Sequence, residues 1–388
     1  MSRPARTAAA LALAATALIA GCGRPVPSAP GPAAEVPPAG TPFLATSLVT
    51  DAGTWAVAVM GGPVATHDNF WQLFARPAGS QRWKLATPPG TADNGGLVLA
   101  GAGGSLITGF RPSQYLTYTP LTLTRNTGQA WASTGPLDGA LADVPDALAA
   151  ASPAGKLLAL LTDGTAELSA PGYTSWTTIA TQRSLAATPP GRSCGLQNLT
   201  AAAFSPSGQP MLGGTCSRPG TAGIFAGAGG TWQAAGPPLP AALASQPVRV
   251  LRLTSTASST IALLAAGTGP AASLLVAWSS DTGSHWILSP PLRLNGAALS
   301  SASFGPGDTT AIVLNDGRGQ TMAGPGTPWR ALPALPPGTA TLAAGSAGAL
   351  QALAVDRTKM TVWQLVPGSA AWAKAQAINV PIQFGSSS

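Results

Sequence analysis

The sequence predicts an all-β protein: a seven-bladed β-propeller built from four-stranded antiparallel blades. Only 9% of its 388 residues are charged and 45% are hydrophobic, while 47 Gly and 38 Pro interrupt the apolar segments. That composition is typical of many short strands joined by tight turns. A unit of about 45 residues with four short apolar segments recurs along the chain, which is the period of a propeller blade. Helical repeats are excluded because no unit contains about ten residues of helical periodicity free of Gly and Pro.

A glycine followed three to five residues later by a tryptophan marks each unit. The seven pairs are Gly79/Trp83, Gly128/Trp131, Gly172/Trp176, Gly227/Trp232, Gly283/Trp286, Gly326/Trp329 and Gly368/Trp372. We expect each Trp to start the outermost strand of its blade and to fill the gap between blades. The strands of the third unit are expected at Ala147–Ser152, Leu157–Asp163, Thr165–Pro171 and Ser175–Thr181. Those of the sixth are expected at Ala298–Phe304, Thr309–Asn315, Gln320–Gly324 and Trp329–Leu332.

Residues 1–21 are predicted to be a signal peptide. Arg3 and Arg6 precede 15 uncharged residues, 7–21, too few to span a hydrocarbon core of about 30 Å at about 1.5 Å per residue. The segment ends in Ile19-Ala20-Gly21-Cys22, which resembles the lipobox of bacterial lipoproteins. The resemblance implies that Cys22 becomes the first mature residue and carries the lipid that anchors the protein to the membrane. The alternative is a plain secretory signal in which Cys22 is incidental.

The remaining chain divides into a tether, residues 22–42, and the propeller, residues 43–388. The tether is rich in Pro and Ala and has no apolar periodicity, so we expect partly polyproline structure that holds the propeller away from the membrane. A location outside the cytoplasm permits disulfides. Once Cys22 is lipidated, Cys194 and Cys216 are the two cysteines left, and they flank a predicted hairpin. We expect them to be bridged, with two free buried thiols as the alternative.

One copy of the repeated turn reads Ser279-Ser280-Asp281-Thr282-Gly283-Ser284-His285-Trp286. It resembles the Asp-box, Ser-x-Asp-x-Gly-x-x-Trp, of the bacterial neuraminidase repeat, and residues 124–131 (TRNTGQAW) are a degenerate second copy. The resemblance to these sialidase-like propellers implies that Ser279, Asp281, Gly283 and Trp286 close a hairpin between the third and fourth strands. In such a turn the acidic side chain caps backbone N–H groups and Gly supplies the positive φ. We therefore assign Asp281 a structural role.

The chain contains little material for catalysis. A sialidase needs a Tyr nucleophile with a Glu partner, an acid/base Asp and three Arg, but the only glutamates are Glu35, in the tether, and Glu167, in a predicted strand. Two His and two bridged Cys are too few for a zinc site, and the Gly-rich segments lack the Gly-Lys-Ser/Thr of a phosphate loop. We predict no catalytic residue, no metal site and no cofactor.

Binding is favoured because a propeller presents a ring of loops around its central channel. The loops between second and third strands hold a large share of the polar residues. The possible ligand-binding residues are His67, Asp68, Arg111, Tyr115, Tyr118, Arg218, Arg318 and Arg357. Positive groups near one channel mouth would suit an anionic or carboxylate-bearing ligand. Alternatively, these residues make tight hairpins and keep the surface soluble.

The sequence therefore predicts a monomeric, lipid-anchored, extracytoplasmic propeller that binds an envelope protein or glycan without catalysis. Nucleic acid is not expected, because the 20 basic residues are spread along the whole chain. A divergent Asp-box glycoside hydrolase, sialidase-like, is the alternative. A scaffold role like that of the photosystem stability-factor propellers is a third interpretation.

Overall fold

The computed structural model describes residues 46–61, 69–88, 97–110, 121–133, 145–151, 155–173, 175–256, 258–344 and 349–381. The predicted signal peptide and the whole of the predicted tether, including Cys22, lie outside these residues. Five of the possible ligand-binding residues also lie outside them, namely His67, Asp68, Arg111, Tyr115 and Tyr118.

Within the described residues, the strands succeed one another as four-strand antiparallel meanders, numbered here in chain order. The first meander comprises β1 Ser47–Thr50, β2 Gly53–Gly61, β3 Asn69–Pro77 and β4 Lys84–Leu85. The second comprises β5 Leu97–Ala102, β6 Ser105–Phe110, β7 Thr122–Thr124 and β8 Ala132–Ser133. The third comprises β9 Ala147–Ala151, β10 Lys156–Leu160, β11 Thr165–Ser169 and β12 Trp176–Thr181. The fourth meander comprises β13 Leu196–Phe204, β14 Pro210–Cys216, β15 Gly223–Ala228 and β16 Thr231–Ala234. The fifth comprises β17 Val248–Ser255, β18 Thr260–Ala266, β19 Ser273–Ser279 and β20 Ile287–Leu288, and a further strand, β21 Leu292–Arg293, also pairs with β19. The sixth meander comprises β22 Leu299–Phe304, β23 Thr310–Leu314, β24 Gly319–Met322 and β25 Arg330–Ala331. The seventh comprises β26 Thr339–Ala344, β27 Leu350–Asp356, β28 Lys359–Leu365 and β29 Ala373–Asn379. The fourth and fifth meanders form one larger sheet through a single bridge between Thr215 and Arg249.

The strands predicted in the third and sixth units coincide with the observed ones to within three residues at each end. The repeated tryptophans lie at or next to the start of each outermost strand, as predicted. Trp83 and Trp176 are buried and the other five are half-buried. The indole N–H groups of Trp286 and Trp329 donate to the carbonyls of Ala235 and Pro290 in the preceding connections, so these side chains join neighbouring meanders.

Each meander packs face to face on the next. Trp55 and Leu106 belong to the cluster between the first and second meanders, and a comparable cluster lies between every later pair. Phe74 and Leu353 belong to the cluster between the seventh meander and the first. Strands buried on both faces are largely apolar, as are β18 and β19, whose polar residues lie at the strand ends. The ring of packed antiparallel sheets is a β-propeller.

The junction between the seventh and first meanders, called here the closing seam, contains a buried polar network. Nη1 of Arg76 donates to Oε1 of Gln351 at 2.8 Å, and Nε1 of Trp83 donates to the same oxygen at 2.8 Å. Nη2 of Arg76 donates to Oγ1 of Thr54 and to the carbonyl of Ala344. The guanidinium carbon lies 5.5 Å from the Trp83 ring centroid, and burial lowers the pKa of Arg76. Among the described residues, the seam thus joins the ring through these side-chain hydrogen bonds, the cluster of Phe74 and Leu353 and a main-chain hydrogen bond from Gly61 to Arg357, and not through a shared sheet.

Antiparallel meanders place their loops alternately at two ends of the ring. The end called upper here has the loops from second to third strands and the connections between meanders; the lower end has the other loops. Nη2 of Arg318 donates to the carbonyl of Leu294 across the upper end. The hydroxyls of Ser207 and Thr282 are hydrogen-bonded across the lower end at 3.2 Å. Residues in loops at the same end of the ring therefore belong to one surface, and residues at opposite ends belong to different surfaces.

The connection from the third to the fourth meander contains two short helices, α1 Gln182–Ala186 and α2 Pro189–Cys194, which were not predicted. In the described residues, no helix is long and apolar enough to cross a membrane. At the end of α2, Cys194 forms a disulfide with Cys216 at the end of β14, with their Cα atoms 5.2 Å apart. The predicted disulfide is confirmed.

Candidate functional site: an arginine arc at the upper end

Three of the predicted ligand-binding residues, Arg218, Arg318 and Arg357, are exposed at the upper end, each in a turn between second and third strands. Nε of Arg318 donates to Oδ2 of Asp316 at 2.7 Å, and its backbone N–H donates to Oδ1 of the same carboxylate. Desolvation raises the pKa of Asp316, but the hydrogen bonds and the charge of Arg318 together outweigh this effect, so the pKa lies below its ordinary value. Arg318 therefore also holds its own turn, which fits the alternative interpretation of this residue.

The carbonyl of Arg357 accepts a hydrogen bond from the N–H of Gly61 at 2.9 Å, so the backbone of this turn joins the seventh meander to the first. Arg357 has a φ of 50°, a left-handed conformation that is uncommon for a residue with a side chain. The N–H of Arg218 donates to the carbonyl of Cys194 at 3.2 Å. Both turns are thus fixed by their backbones, while their guanidinium groups face solvent.

Four further exposed arginines at the upper end were missed in the sequence: Arg183, Arg192, Arg249 and Arg293. Arg183 lies in α1, Arg192 in α2, Arg249 near the start of β17 and Arg293 in β21. Together with Arg218, Arg318 and Arg357 they form a set, called here the arginine arc, that extends over the upper end from the third to the seventh meander. The exposed acidic residues of the described upper end are Asp163, Asp316 and Asp356.

Local sequence fixes the helices that hold two members of the arc. Oγ1 of Thr181 accepts from the N–H of Ser184, whose Oγ accepts from the N–H of Thr181, which is a capping box. Oγ1 of Thr188 accepts from the N–H of Gly191 at the start of α2. Gly195 ends α2 with a φ of 67°, a conformation that Gly adopts without strain. These caps and the adjacent disulfide hold the two helices in place.

Chemically, the arginine arc suits an anionic surface. A guanidinium group stays charged at every physiological pH and can form two parallel hydrogen bonds to a carboxylate or phosphate. In the part of the chain that the structure describes, the lower end also has exposed basic residues, Arg82, Arg125, Arg330 and Lys374, so basic side chains are exposed at both ends. What distinguishes the upper end is the number of its arginines and their distribution along the rim.

The turn around Asp281 lies at the lower end, between β19 and β20. Oδ1 of Asp281 accepts from Oγ of Ser279 and from the N–H groups of Ser284 and His285, at 2.8–3.0 Å. Oδ2 lies 2.6 Å from Nδ1 of His285. The bonds to His285 contribute most to holding the pKa of Asp281 well below its usual range. Asp281 therefore holds the turn, on the end of the ring opposite the arginine arc.

The turn between β7 and β8 repeats this bonding. Oδ1 of Asn126 accepts from the N–H of Ala130, and Oγ1 of Thr124 accepts from the N–H of Gly128. Gly128 and Gly283 have φ of 78° and 89°. At each position an added Cβ would lie under 3 Å from an alanine of the preceding connection, Ala86 or Ala235. Gly is thus required in both turns by its conformation and by the close approach of the neighbouring chain.

The central channel is lined by the innermost strands. A cavity of about 80 Å³ lies along the first five meanders, against Leu48 and residues 98–101, 146–150, 200–203 and 251–255. Asp146 and Arg252 are the charged residues among them, and both are 7% exposed. Neither here nor elsewhere in the described ranges are three His, Cys, Asp or Glu side chains grouped closely enough to hold a metal ion.

Comparison with known proteins finds no matching family model and no matching curated sequence. Solved structures do share the fold. YCF48 from Cyanidioschyzon merolae has a TM-score of 0.51 at 12% identity, over 86% of this chain and 98% of its own. A protein from Lactobacillus plantarum has a TM-score of 0.52 at 10% identity, over 84% of this chain and 96% of its own. At such low identity the similarity concerns the fold alone.

Proposed function

We propose that this protein is a lipid-anchored, extracytoplasmic, seven-bladed propeller of the Asp-box type that binds an anionic envelope partner without catalysis. The blade number is supported by the seven meanders and the clusters between them. The Asp-box assignment is supported by the bonding shared by the Asp281 and Asn126 turns. The lipid anchor is supported by the lipobox-like segment that ends at Cys22.

The observation on which the binding function rests is the arginine arc. Among the described residues, seven exposed guanidinium groups are distributed over one end of the ring, where three exposed carboxylates accompany them. A partner that presents carboxylate or phosphate groups would gain charge-assisted hydrogen bonds there, and the field of the arc would speed their association. An acidic protein or an anionic glycan both fit this chemistry.

The arginine arc also indicates how the partner is oriented. Its seven members lie on the third to seventh meanders and on the connections between them. Opposite charges that face each other across an interface steer the encounter and fix the orientation of the two partners. We therefore expect the acidic groups of the partner to lie against the third to seventh meanders.

The experiment compares two triple variants with the same change of charge. Arg218→Glu, Arg249→Glu and Arg293→Glu reverse three charges in the arc, whereas Arg82→Glu, Arg330→Glu and Lys374→Glu reverse three at the lower end. Partners are captured from cross-linked envelopes by the wild-type protein and quantified with each variant at several salt concentrations. We expect capture to fall by about tenfold or more with the arc variant and less than about twofold with the control. Equal losses with both variants, or none with either, would contradict the proposal.

A further inference from the structure

The buried Arg252 owes its direction to a β-bulge. The register of β17 with β18 shifts between Val250 and Arg252, so Leu251 has no partner in the pairing. Leu251 belongs to the hydrophobic cluster shared with the sixth meander, and Arg252 also contacts that meander through Phe304. Two consecutive side chains thus face the same neighbour, which regular alternation forbids and a bulge permits. The bulge turns a long cationic side chain toward the channel.

Arg252 crosses the channel. Its Nη1 donates to the carbonyl of Ala302, in the innermost strand of the sixth meander, at 3.1 Å. Its Nη2 donates to the carbonyl of Ser47, in the innermost strand of the first meander, at 3.4 Å. Its Cζ lies 5.1 Å from the centroid of the Phe304 ring. The side chain therefore starts on the fifth meander and ends against the first.

The guanidinium group of Arg252 has no ion-pair partner among the described residues. Its contacts are two main-chain carbonyls and an aromatic ring, and no acidic side chain in the described ranges forms an ion pair with it. Burial lowers the pKa of Arg252 to about 10, so the group is still protonated at neutral pH. A buried cation without an ion-pair partner is costly to desolvate. A small anion beside it would offset that cost.

The channel has room for such an anion. The cavity of about 80 Å³ lies against residues 251–255, and one water needs roughly 10–15 Å³ of such space, so a group of a few heavy atoms fits. Small side chains such as Ala100 and Ala149 leave this space open on the other wall. Arg252 is the one basic residue among those that line this cavity, so the site offers a single positive charge to a ligand. A singly charged ligand is therefore favoured.

We propose that the channel binds a small monoanion, of the carboxylate class, against the guanidinium group of Arg252. The ligand would accept hydrogen bonds from guanidinium N–H groups that the two carbonyls leave unused, since Arg has five such donors. This site lies inside the ring and is independent of the arginine arc. A failure of the channel site would leave the proposed function of the arginine arc untouched, and the reverse also holds.

Acetate is the probe, and saturation transfer from protein methyl protons to the acetate methyl group is the measurement. Ionic strength is kept constant with sodium gluconate, whose anion is too large for the cavity. We expect a saturable signal with the wild-type protein, and an affinity at least about tenfold lower with Arg252→Gln. The arc variant Arg218→Glu, Arg249→Glu, Arg293→Glu is the matched control and should bind acetate as the wild type does.

A second variant covers the case in which Arg252→Gln fails to fold. Ala149→Leu narrows the cavity from the opposite wall and leaves Arg252 in place, so it should also reduce acetate binding. The absence of a saturable signal in the wild-type protein would overturn the proposal. Wild-type affinity in either folded variant would overturn it as well.

Discussion

Replacement of Gln351 tests whether side chains hold the closing seam. Oε1 of Gln351, a residue that is 1% exposed, accepts from Nη1 of Arg76 and from Nε1 of Trp83. Gln351→Ala leaves the indole N–H without an acceptor, at about 1–3 kcal/mol, and removes a hydrogen bond to a charged group, at about 1.5–3 kcal/mol. We expect the free energy of unfolding to fall by about 2.5–6 kcal/mol in total.

Two variants at the same seam calibrate this value. Gln351→Glu keeps an acceptor for both donors and places a negative charge opposite Arg76, so above the ordinary Glu pKa of about 4.3 it should be within about 1 kcal/mol of the wild type. Gln376 is half-buried and exchanges two hydrogen bonds with the backbone of Trp83, so Gln376→Ala should lower stability by about 1 kcal/mol.

Guanidinium chloride unfolding of the mature domain, followed by tryptophan fluorescence, gives the three free energies. The slope of each transition is compared as well, because a change in slope would indicate a change in the surface exposed on unfolding. If Gln351→Ala proves no less stable than Gln376→Ala, the buried hydrogen bonds of the seam do not hold the ring, and the reasoning fails.

Three other predictions concern the disulfide, the anchor and the Asp281 turn. The native protein should show no thiol reactive at Cys194 or Cys216, and reduction should destabilise it by about 3 kcal/mol for a separation of 22 residues; two thiols that titrate in the oxidised protein would refute the disulfide. Cys22→Ser should abolish lipidation, as measured by detergent partitioning and mass analysis of the N-terminal peptide, and an unmodified Cys22 in the wild-type peptide would contradict the anchor. Because folding lowers the pKa of Asp281, its contribution is present above the unfolded pKa of about 3.9 and is lost as pH falls through the folded value. Asp281→Asn should therefore lose less stability than the wild type between about pH 5 and pH 2, and identical acid transitions would sink the argument.

The strands could be predicted because their burial is written in the sequence. Strands such as β18 and β19 are apolar except at their ends, and Gly or Pro occurs in the turns that follow them. The helices α1 and α2 escaped because five or six residues are too few to show helical periodicity. Their signals were the caps: Thr181 with Ser184, Pro189 after Thr188, and Gly195 at the end.

The arginine arc could be predicted only in part. Arg218, Arg318 and Arg357 were found because they lie in turns between strands. Arg249 and Arg293 lie within strands, so their end of the ring depends on strand direction and register. The path of Arg252 depends on the bulge at Leu251, which leaves no mark in the composition of the segment. Sequence patterns locate strands more readily than they locate the direction of single side chains.

The closing seam has a mechanical consequence. Every other pair of neighbouring meanders is joined by a peptide connection, so separated neighbours remain close and re-form their contacts at high effective concentration. The seventh and first meanders are linked through the chain only by way of the whole ring. A thermal fluctuation that separates Gln351 from Arg76 and Trp83 therefore opens a gap that no peptide connection spans. The closing seam is therefore the one junction between meanders that can open without a peptide connection across it. Hydrogen exchange should first reach the strands on either side of this seam.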